Sequence, residues 1–308
     1  MEKLIILTGP TGIGKTEISL EIAKKFKCQI ISADSMQIYK KLNIGTDKIN
    51  FEDTDIKHHM IDIIGPDEEF SVSDFQIMAK KIIYDLNKEN IIPLVVGGTG
   101  LYINSLVYDL DFSKSAKDDN LRKKLEEDGE KYGLDFLVEK LLNLDKDARK
   151  KVDLANKRRV IRALEIILSG GQKYNNFRAY NNNYDLIFIG LYMDRSRLYE
   201  RINKRVDQMI DKGLVDEIKE LLDHGLRENS QSLKAIGYKE VISYLNGQLS
   251  YDHMIYDIKK NSRHYAKRQI TWFKRDERIK WFNREEPSIK NQIINYIGER
   301  LGYLWKYT

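Results

Sequence analysis

The segment Gly9-Pro10-Thr11-Gly12-Ile13-Gly14-Lys15-Thr16 constrains this chain more than any other. It satisfies the pattern G-x-x-x-x-G-K-[ST] at every fixed position. An apolar run at residues 4–7 precedes it, and a helical pattern at 16–26 follows (Ile18, Leu20, Ile22, Ala23, Phe26). Strand, glycine turn and helix in that order form a cradle for phosphate. Glycines let the backbone curl so that successive N–H groups point inward as an anion nest, and the helix start adds its positive dipole end. Lys15 brings a full charge, and the Thr16 hydroxyl can ligate Mg²⁺. The competing reading is a glycine turn with no ligand, but chance rarely supplies both motif and context. The loop does not say which phosphate it holds. A nucleoside triphosphate is the default, and any pyrophosphate fits the same cradle.

The surrounding pattern alternates strand and helix. Residues 29–32 read as a second strand, 73–87 as a helix with Phe75, Met78, Ala79, Ile82, Ile83 and Leu86 on one face, and 92–96 as a third strand. That order argues for a parallel sheet covered by helices. From about 113 to 184 strand character fades. Residues 114–122 are polar, 134–142 and 158–168 are helical, and 170–183 form a polar loop. Strand character returns at 186–191, and from Arg197 the pattern is again mainly helical. A strand resuming after some 70 helical residues implies an insertion into an α/β core.

Two more strand ends carry chemistry-bearing residues. Asp34, with Ser35, Met36, Gln37 and Tyr39 behind it, follows the second strand. Ligands of open α/β sheets bind at that edge. A carboxylate there can bind magnesium, accept a proton, or simply close an Asx turn. Gln37 and Tyr39 either contact a base or line the entrance. Gly97-Gly98-Thr99-Gly100 follows the third strand and sets a hydroxyl beside close-approaching backbone. His58-His59 has no nearby ligand partners and reads as structural or surface, with no metal expected.

Basic residues interleave with aromatics in two stretches, Lys157-Arg158-Arg159-Val160-Ile161-Arg162 and Lys259 through Trp281. The second includes Arg263, Tyr265, Lys267, Arg268, Gln269, Trp272, Phe273 and Lys274. Phosphate contacts beside stackable rings suit a single-stranded RNA loop. The plainer alternative is a solvated helix face with its aromatics turned to the core. Composition supports neither reading alone: 52 Lys+Arg against 47 Asp+Glu leaves +5, too small an excess to name a partner. It does exclude other classes. One cysteine, Cys28, builds neither a disulfide framework nor a cysteine-rich zinc site. Four Pro and 19 Gly exclude collagen and a largely disordered chain. No run approaches ~18 apolar residues, so no membrane span is expected. The apolar start is broken by Gly and Lys without a cleavage site, so a cytoplasmic protein is the simplest expectation.

Taken together, the segments GPTGIGKT, SADSMQIYKKLNIGTDK, HHMIDIIGPDEEFSVSDF, VVGGTGLYI, NKRRVIRALEI, KAIGYKE and YAKRQITWFKRD resemble, in this order, the tRNA dimethylallyltransferases, from Leu4 to about Trp281. The resemblance implies prenyl transfer from dimethylallyl diphosphate to N6 of adenosine 37 in the anticodon loop of certain tRNAs. It implies an α/β fold: a P-loop NTPase-like parallel sheet core (1–112 and 185–308) with a mainly helical insertion domain (113–184) contacting tRNA. By the same resemblance Gly9 and Thr11, Gly12, Ile13, Gly14, Lys15 and Thr16 would bind the diphosphate, with Mg²⁺ as cofactor near Thr16. Asp34 would accept the proton of the adenine amine, whose delocalised lone pair makes it a poor nucleophile. Thr99 would position that amine or the departing diphosphate, and Arg205 would neutralise the leaving group. The implied tRNA contacts are Asp34, Ser35, Met36, Gln37, Thr99, Arg122, Arg158, Arg159, Arg162, Lys234, Gly237 and Lys239, with Lys267, Arg268, Gln269, Trp272 and Lys274.

Two departures stand out. Gly12-Ile13 replaces an expected Ala-Ser, which removes a hydroxyl but spares the backbone nest. The zinc finger of the eukaryotic relatives is absent before Thr308, which favours the bacterial type. A monomer is expected. Two alternatives remain at this stage: a cytokinin-type transferase acting on free adenylates, against which the basic segments weigh, and a P-loop small-molecule kinase or nucleotide-driven RNA-binding protein.

Overall fold

The computed structural model describes residues 1–110, 119–169 and 179–303. They divide into two compact units, Met1–Asn104 with Asn182–Thr308, and Ser105–Asn181.

The first unit is built on a six-stranded sheet. Its strands are β1 (Glu2–Thr8), β2 (Gln29–Ser32), β3 (His58–His59), β4 (Pro93–Gly97), β5 (Tyr184–Tyr192) and β6 (Lys280–Asn283), in the order β3-β2-β4-β1-β5-β6. Every pairing is parallel. β1 lies centrally and is buried from Leu4 to Thr8, with Ile5 opposite Leu94 on one side and Ile187 on the other. A strand covered on both faces needs a continuous apolar run rather than an alternating one, and Leu4–Leu7 supplies it.

The helices α1 (Lys15–Phe26) and α2 (Val72–Lys88) link β1 to β2 and β3 to β4. Helix α1 contributes Ile18, Ile22, Ala23 and Phe26 to the main core, where they meet Ile5, Leu94 and Ile189. Helix α2 starts at a reciprocal capping box: Ser71 Oγ accepts from the Asp74 N–H, and the Asp74 carboxylate accepts from the Ser71 N–H. Helix α3 (Gly100–Val107) leaves the end of β4.

The second unit has its own core. Helices α4 (Asp119–Lys131), α5 (Gly133–Leu144), α6 (Ala148–Lys151) and α7 (Lys157–Leu168) bury Leu125, Leu137, Leu141, Val160 and Leu164 together. A short neck closes this unit: Tyr108 and Tyr180 form an antiparallel bridge, and the Asp109 N–H donates to Ala179 O at 2.8 Å. The divisions between the units fall at 104/105, inside α3, and at 181/182. The sequence boundary at 112/113 lies outside the described residues, and that at 184/185 falls inside β5.

Beyond β5 the first unit continues with α8 (Arg195–Asp211), α9 (Leu214–Asp223), α10 (Tyr238–Leu245), α11 (Tyr251–Phe273) and, after β6, α12 (Ile289–Arg300). The Lys280-Trp281 pair, read from sequence as part of a basic-aromatic run, belongs to β6 at the sheet edge. The two histidines form β3, where His59 Nε2 lies 2.7 Å from Gln29 Oε1. Among the described residues no cluster of His, Cys, Asp and Glu is placed to hold a metal.

Candidate functional site

Parallel strands bring three loops to one carboxyl edge. The loop after β1 carries Gly9–Gly14, that after β2 carries Asp34, and that after β4 carries Thr99. Backbone contacts lock the last two together. The Thr99 N–H donates to Ala33 O at 3.2 Å, and Thr99 Oγ1 accepts from the Ser35 N–H at 3.1 Å. Gly97 is required here, because a Cβ would stand 2.2 Å from Ala33 O. Asp34 Oδ1 accepts from the Met36 N–H at 2.9 Å. The Asx turn is therefore present. It fixes the plane of the carboxylate, and Asp34 still lines the cavities described below.

The glycine loop turns through left-handed backbone at Gly12 (φ 77°) and Gly14 (φ 92°) and delivers Lys15 to the start of α1. The Lys15 ammonium donates to Gly9 O (2.9 Å) and Pro10 O (3.0 Å). Burial pushes its pKa down to about 8, opposed by Asp34, while Arg205 lowers it further and Asp47 raises it. Arg205 Nη1 donates to Thr11 Oγ1 at 2.8 Å, and its Nε lies 3.4 Å from Asp47 Oδ2. Arg201 Nε donates to Gly12 O at 2.9 Å.

Two cavities open on this group. One, about 580 Å³, is lined by the loop residues Thr11, Gly12, Gly14, Lys15 and Thr16 and by the cations Arg201, Lys204 and Arg205. The other, about 470 Å³, has apolar walls from Met36, Ile202, Val206, Met209, Ile236 and Ile258, with Lys234, Lys239 and Arg268 around it. Thr11, Asp34, Thr46, Arg205 and Tyr265 line both. A charged chamber and an apolar chamber thus meet at one carboxylate. The Tyr265 phenol sits at the junction. Burial raises its pKa to about 12, and Asp34 pushes the same way, against a hydrogen bond to Thr99.

The structure redistributes several residues singled out from sequence. The Ile13 side chain is fully buried with Leu7 and Ile202 and lines neither cavity, so the apolar residue at this position packs the loop onto the core. Gln269 is almost fully buried. Its amide accepts from the Thr11 N–H at 2.8 Å and donates to Gly98 O at 3.0 Å, bracing two loops at the wall of the cationic cavity. Gly237 is buried as the N-cap of α10 with φ 99°, and its N–H donates to Glu240. Gln37 accepts from Ser32 Oγ and donates to Thr46 O, holding a loop. Trp272 covers Gly100, where a Cβ would lie 2.4 Å from the indole.

In the second unit, Arg122 and Arg162 converge on Glu165, which is 2% exposed. Arg122 Nη2 donates to Glu165 Oε2 at 2.8 Å and Arg162 Nη1 at 3.2 Å. These two cations neutralise a buried charge. Arg158, Arg159, Lys234, Lys239, Lys267, Arg268 and Lys274 are exposed.

Sequence reasoning passed over Thr46, Asp47, Arg201, Lys204 and Gln208 as lining groups, and read Tyr265 only as one ring of a basic-aromatic stretch. Thr46 and Asp47 stood inside a quoted motif. The α8 residues recur at helical spacing on the face of Arg205, which is the signal that could have found them.

A family model described as IPP transferase matches residues 37–276, and one described as isopentenyl transferase matches residues 2–55. The chain is 46% identical to a tRNA dimethylallyltransferase of Alkaliphilus metalliredigens, covering 98% of each. It is 47% identical to one of Clostridioides difficile over 97% of this chain and 98% of that one. Among solved structures it is similar to a tRNA isopentenylpyrophosphate transferase of Bacillus halodurans, with 42% identity, a TM-score of 0.75 and coverage of 98% and 97%. It is also similar to a eukaryotic dimethylallyltransferase crystallised acting on tRNA, with 28% identity, a TM-score of 0.84 and coverage of 98% and 79%. With a family match spanning most of its length and full-length relatives of one name, the chain belongs to the tRNA dimethylallyltransferase (IPP transferase) family of prenyltransferases.

Proposed function

We propose that the chain transfers a dimethylallyl group from dimethylallyl diphosphate to N6 of adenosine 37 in tRNA. The observation that carries this reading is the single carboxylate, Asp34, shared by a cationic chamber and an apolar one. The diphosphate would lie against the loop N–H groups, Lys15 and Arg205, with its prenyl chain directed toward the apolar walls. The flipped adenine would enter past Lys234, Lys239 and Arg268. The N6 lone pair would attack C1 of the prenyl group as the C1–O bond breaks and diphosphate leaves. The amine proton would pass to Asp34. Its Oδ1 already holds the Met36 N–H, which leaves Oδ2 for the amine. Lys15 and Arg205 would oppose charge growing on the bridging oxygen, more strongly in the transition state than in the ground state.

Magnesium fits the donor set as a companion of the diphosphate. Mg²⁺ keeps several waters and favours few protein oxygens beside phosphate, and the exposed Thr16 hydroxyl shares its cavity with Asp34, Asp47 and Glu17, the last already paired with Arg284 and Lys290. Thr16 would hold the ion, which when bound would neutralise diphosphate charge.

The test is a reaction of purified protein, unmodified tRNA, Mg²⁺ and dimethylallyl diphosphate, with nucleosides analysed by mass. Isopentenyladenosine without any nucleoside triphosphate is expected. Unmodified adenosine, or release of ADP in step with product, would overturn the reading.

A further inference from the structure

We propose that Glu217 is a positioning residue that ties the wall of the apolar chamber to the diphosphate cradle, acting through Asp47 and Arg205. The inference rests on the proposed function for its consequence in catalysis, but its geometry stands apart from it.

The loop after Leu42 presents three successive N–H groups, a concavity of the kind that binds an anion. A side chain of the protein fills it. Glu217 Oε2 accepts from the Asn43 and Ile44 N–H groups, both at 2.8 Å, and Oε1 accepts from the Gly45 N–H at 3.4 Å. The Tyr238 hydroxyl donates to the same Oε1 at 2.7 Å. Tyr238 is fully buried, and Gly45 is pressed against its ring so closely that a Cβ would lie 2.3 Å away. One carboxylate therefore joins α9, the first turn of α10 and a loop from the other end of the sequence.

What lies on either side gives the joint its consequence. The segment before α10 carries Lys234 and Ile236 into the apolar chamber. The residues after Gly45 are Thr46, which lines both chambers, and Asp47, in left-handed backbone at φ 52°. The Asp47 carboxylate faces the Arg205 guanidinium, which in turn donates to Thr11 of the glycine loop. A shift of the 43–45 turn would thus move the group that orients Arg205. Four donors converge on the two carboxylate oxygens, whereas a glutamine would offer one oxygen and turn an N–H₂ toward a donor.

The experiment is a double-mutant cycle on the full-length protein, read as the dissociation constant of inorganic pyrophosphate with Mg²⁺ by calorimetry. Glu217→Gln is expected to weaken pyrophosphate by about 5–10-fold. In an Asp47→Ala background the same change is expected to add less than about 2-fold, because the link it acts through is already cut. Tyr238→Phe, which removes one donor and keeps the ring, should give a smaller effect of the same non-additive form and carries the test if Glu217→Gln does not fold. Unchanged affinity, or effects that multiply fully across the cycle, would overturn the proposal. Prenyl transfer by the wild type is measured in parallel. Its absence would sink the functional reading while leaving the pyrophosphate cycle to be judged by itself.

Discussion

At the scale of single residues, Asp34 and Lys15 carry the sharpest consequences. Asp34→Asn keeps an oxygen for the Met36 N–H and so preserves the turn, yet removes the carboxylate that the proposed reaction uses as base. Turnover is expected to fall by about 10²–10⁴-fold with pyrophosphate affinity little changed. Near-normal turnover would remove Asp34 from the base role. Lys15 bears on pH. Its pKa is depressed in the fold to about 8, chiefly by burial, against 10.5 ordinarily. Between those two values the unfolded chain binds the proton that the folded chain has released, so this group makes stability rise with pH across that window. Ligand binding runs the other way. A bound diphosphate favours the ammonium, so binding above about pH 8 should take up a proton and weaken as pH rises. Calorimetry in buffers of different ionisation enthalpy reads the uptake, and Lys15→Arg is expected to abolish the part that belongs to Lys15.

At the scale of elements, the brace from α11 is the part with a measurable cost. Gln269→Leu fills similar space but strands the Thr11 N–H and Gly98 O. At about 1–3 kcal/mol for each unsatisfied group, a loss of about 2–6 kcal/mol is expected in chemical denaturation, together with weaker pyrophosphate binding. A loss of affinity with unchanged stability would show that the brace only shapes the loop. This helix also shows where sequence is readable and where it is not. The strands and α1 stood out because buried parallel strands and amphipathic helices write their period into the apolar pattern: residues 29–32 were read to their final boundaries, and 16–26 missed α1 by one residue. β6 escaped because a four-residue edge strand, Lys-Trp-Phe-Asn, is too short to show a period and looked instead like basic-aromatic sequence. α4 escaped because Leu125 is its one fully buried apolar residue in a highly charged run. The site was legible wherever a loop follows a strand, at Lys15, Asp34 and Thr99. The brace made by Gln269 was not, because a polar residue in a basic helix looks the same whether it faces solvent or bridges two buried backbone groups.

At the scale of the whole molecule, the basic residues that looked alike in sequence separate into two kinds with different expected phenotypes. Arg122 and Arg162 hold the buried Glu165 carboxylate. Removing one partner of a buried ion pair leaves a charge uncompensated, so Arg122→Ala is expected to cost about 1–3 kcal/mol in the second unit, less than a full loss because Arg162 remains. Arg158 and Lys267 are exposed, one on α7 and one on α11, and their replacement should leave thermal stability unchanged. If both touch tRNA phosphates, affinity for tRNA should fall linearly on a log–log plot against salt, and each alanine variant should flatten that slope by about one ion. The double variant gives the stronger test, since the two residues belong to different units. A single tRNA engaging both requires the changes to add, to a slope flatter by about two ions, while pyrophosphate affinity stays at the wild-type value. A double variant no flatter than Lys267→Ala alone would confine the electrostatic footprint to the first unit, and a salt-independent wild type would remove phosphate contacts from the recognition altogether.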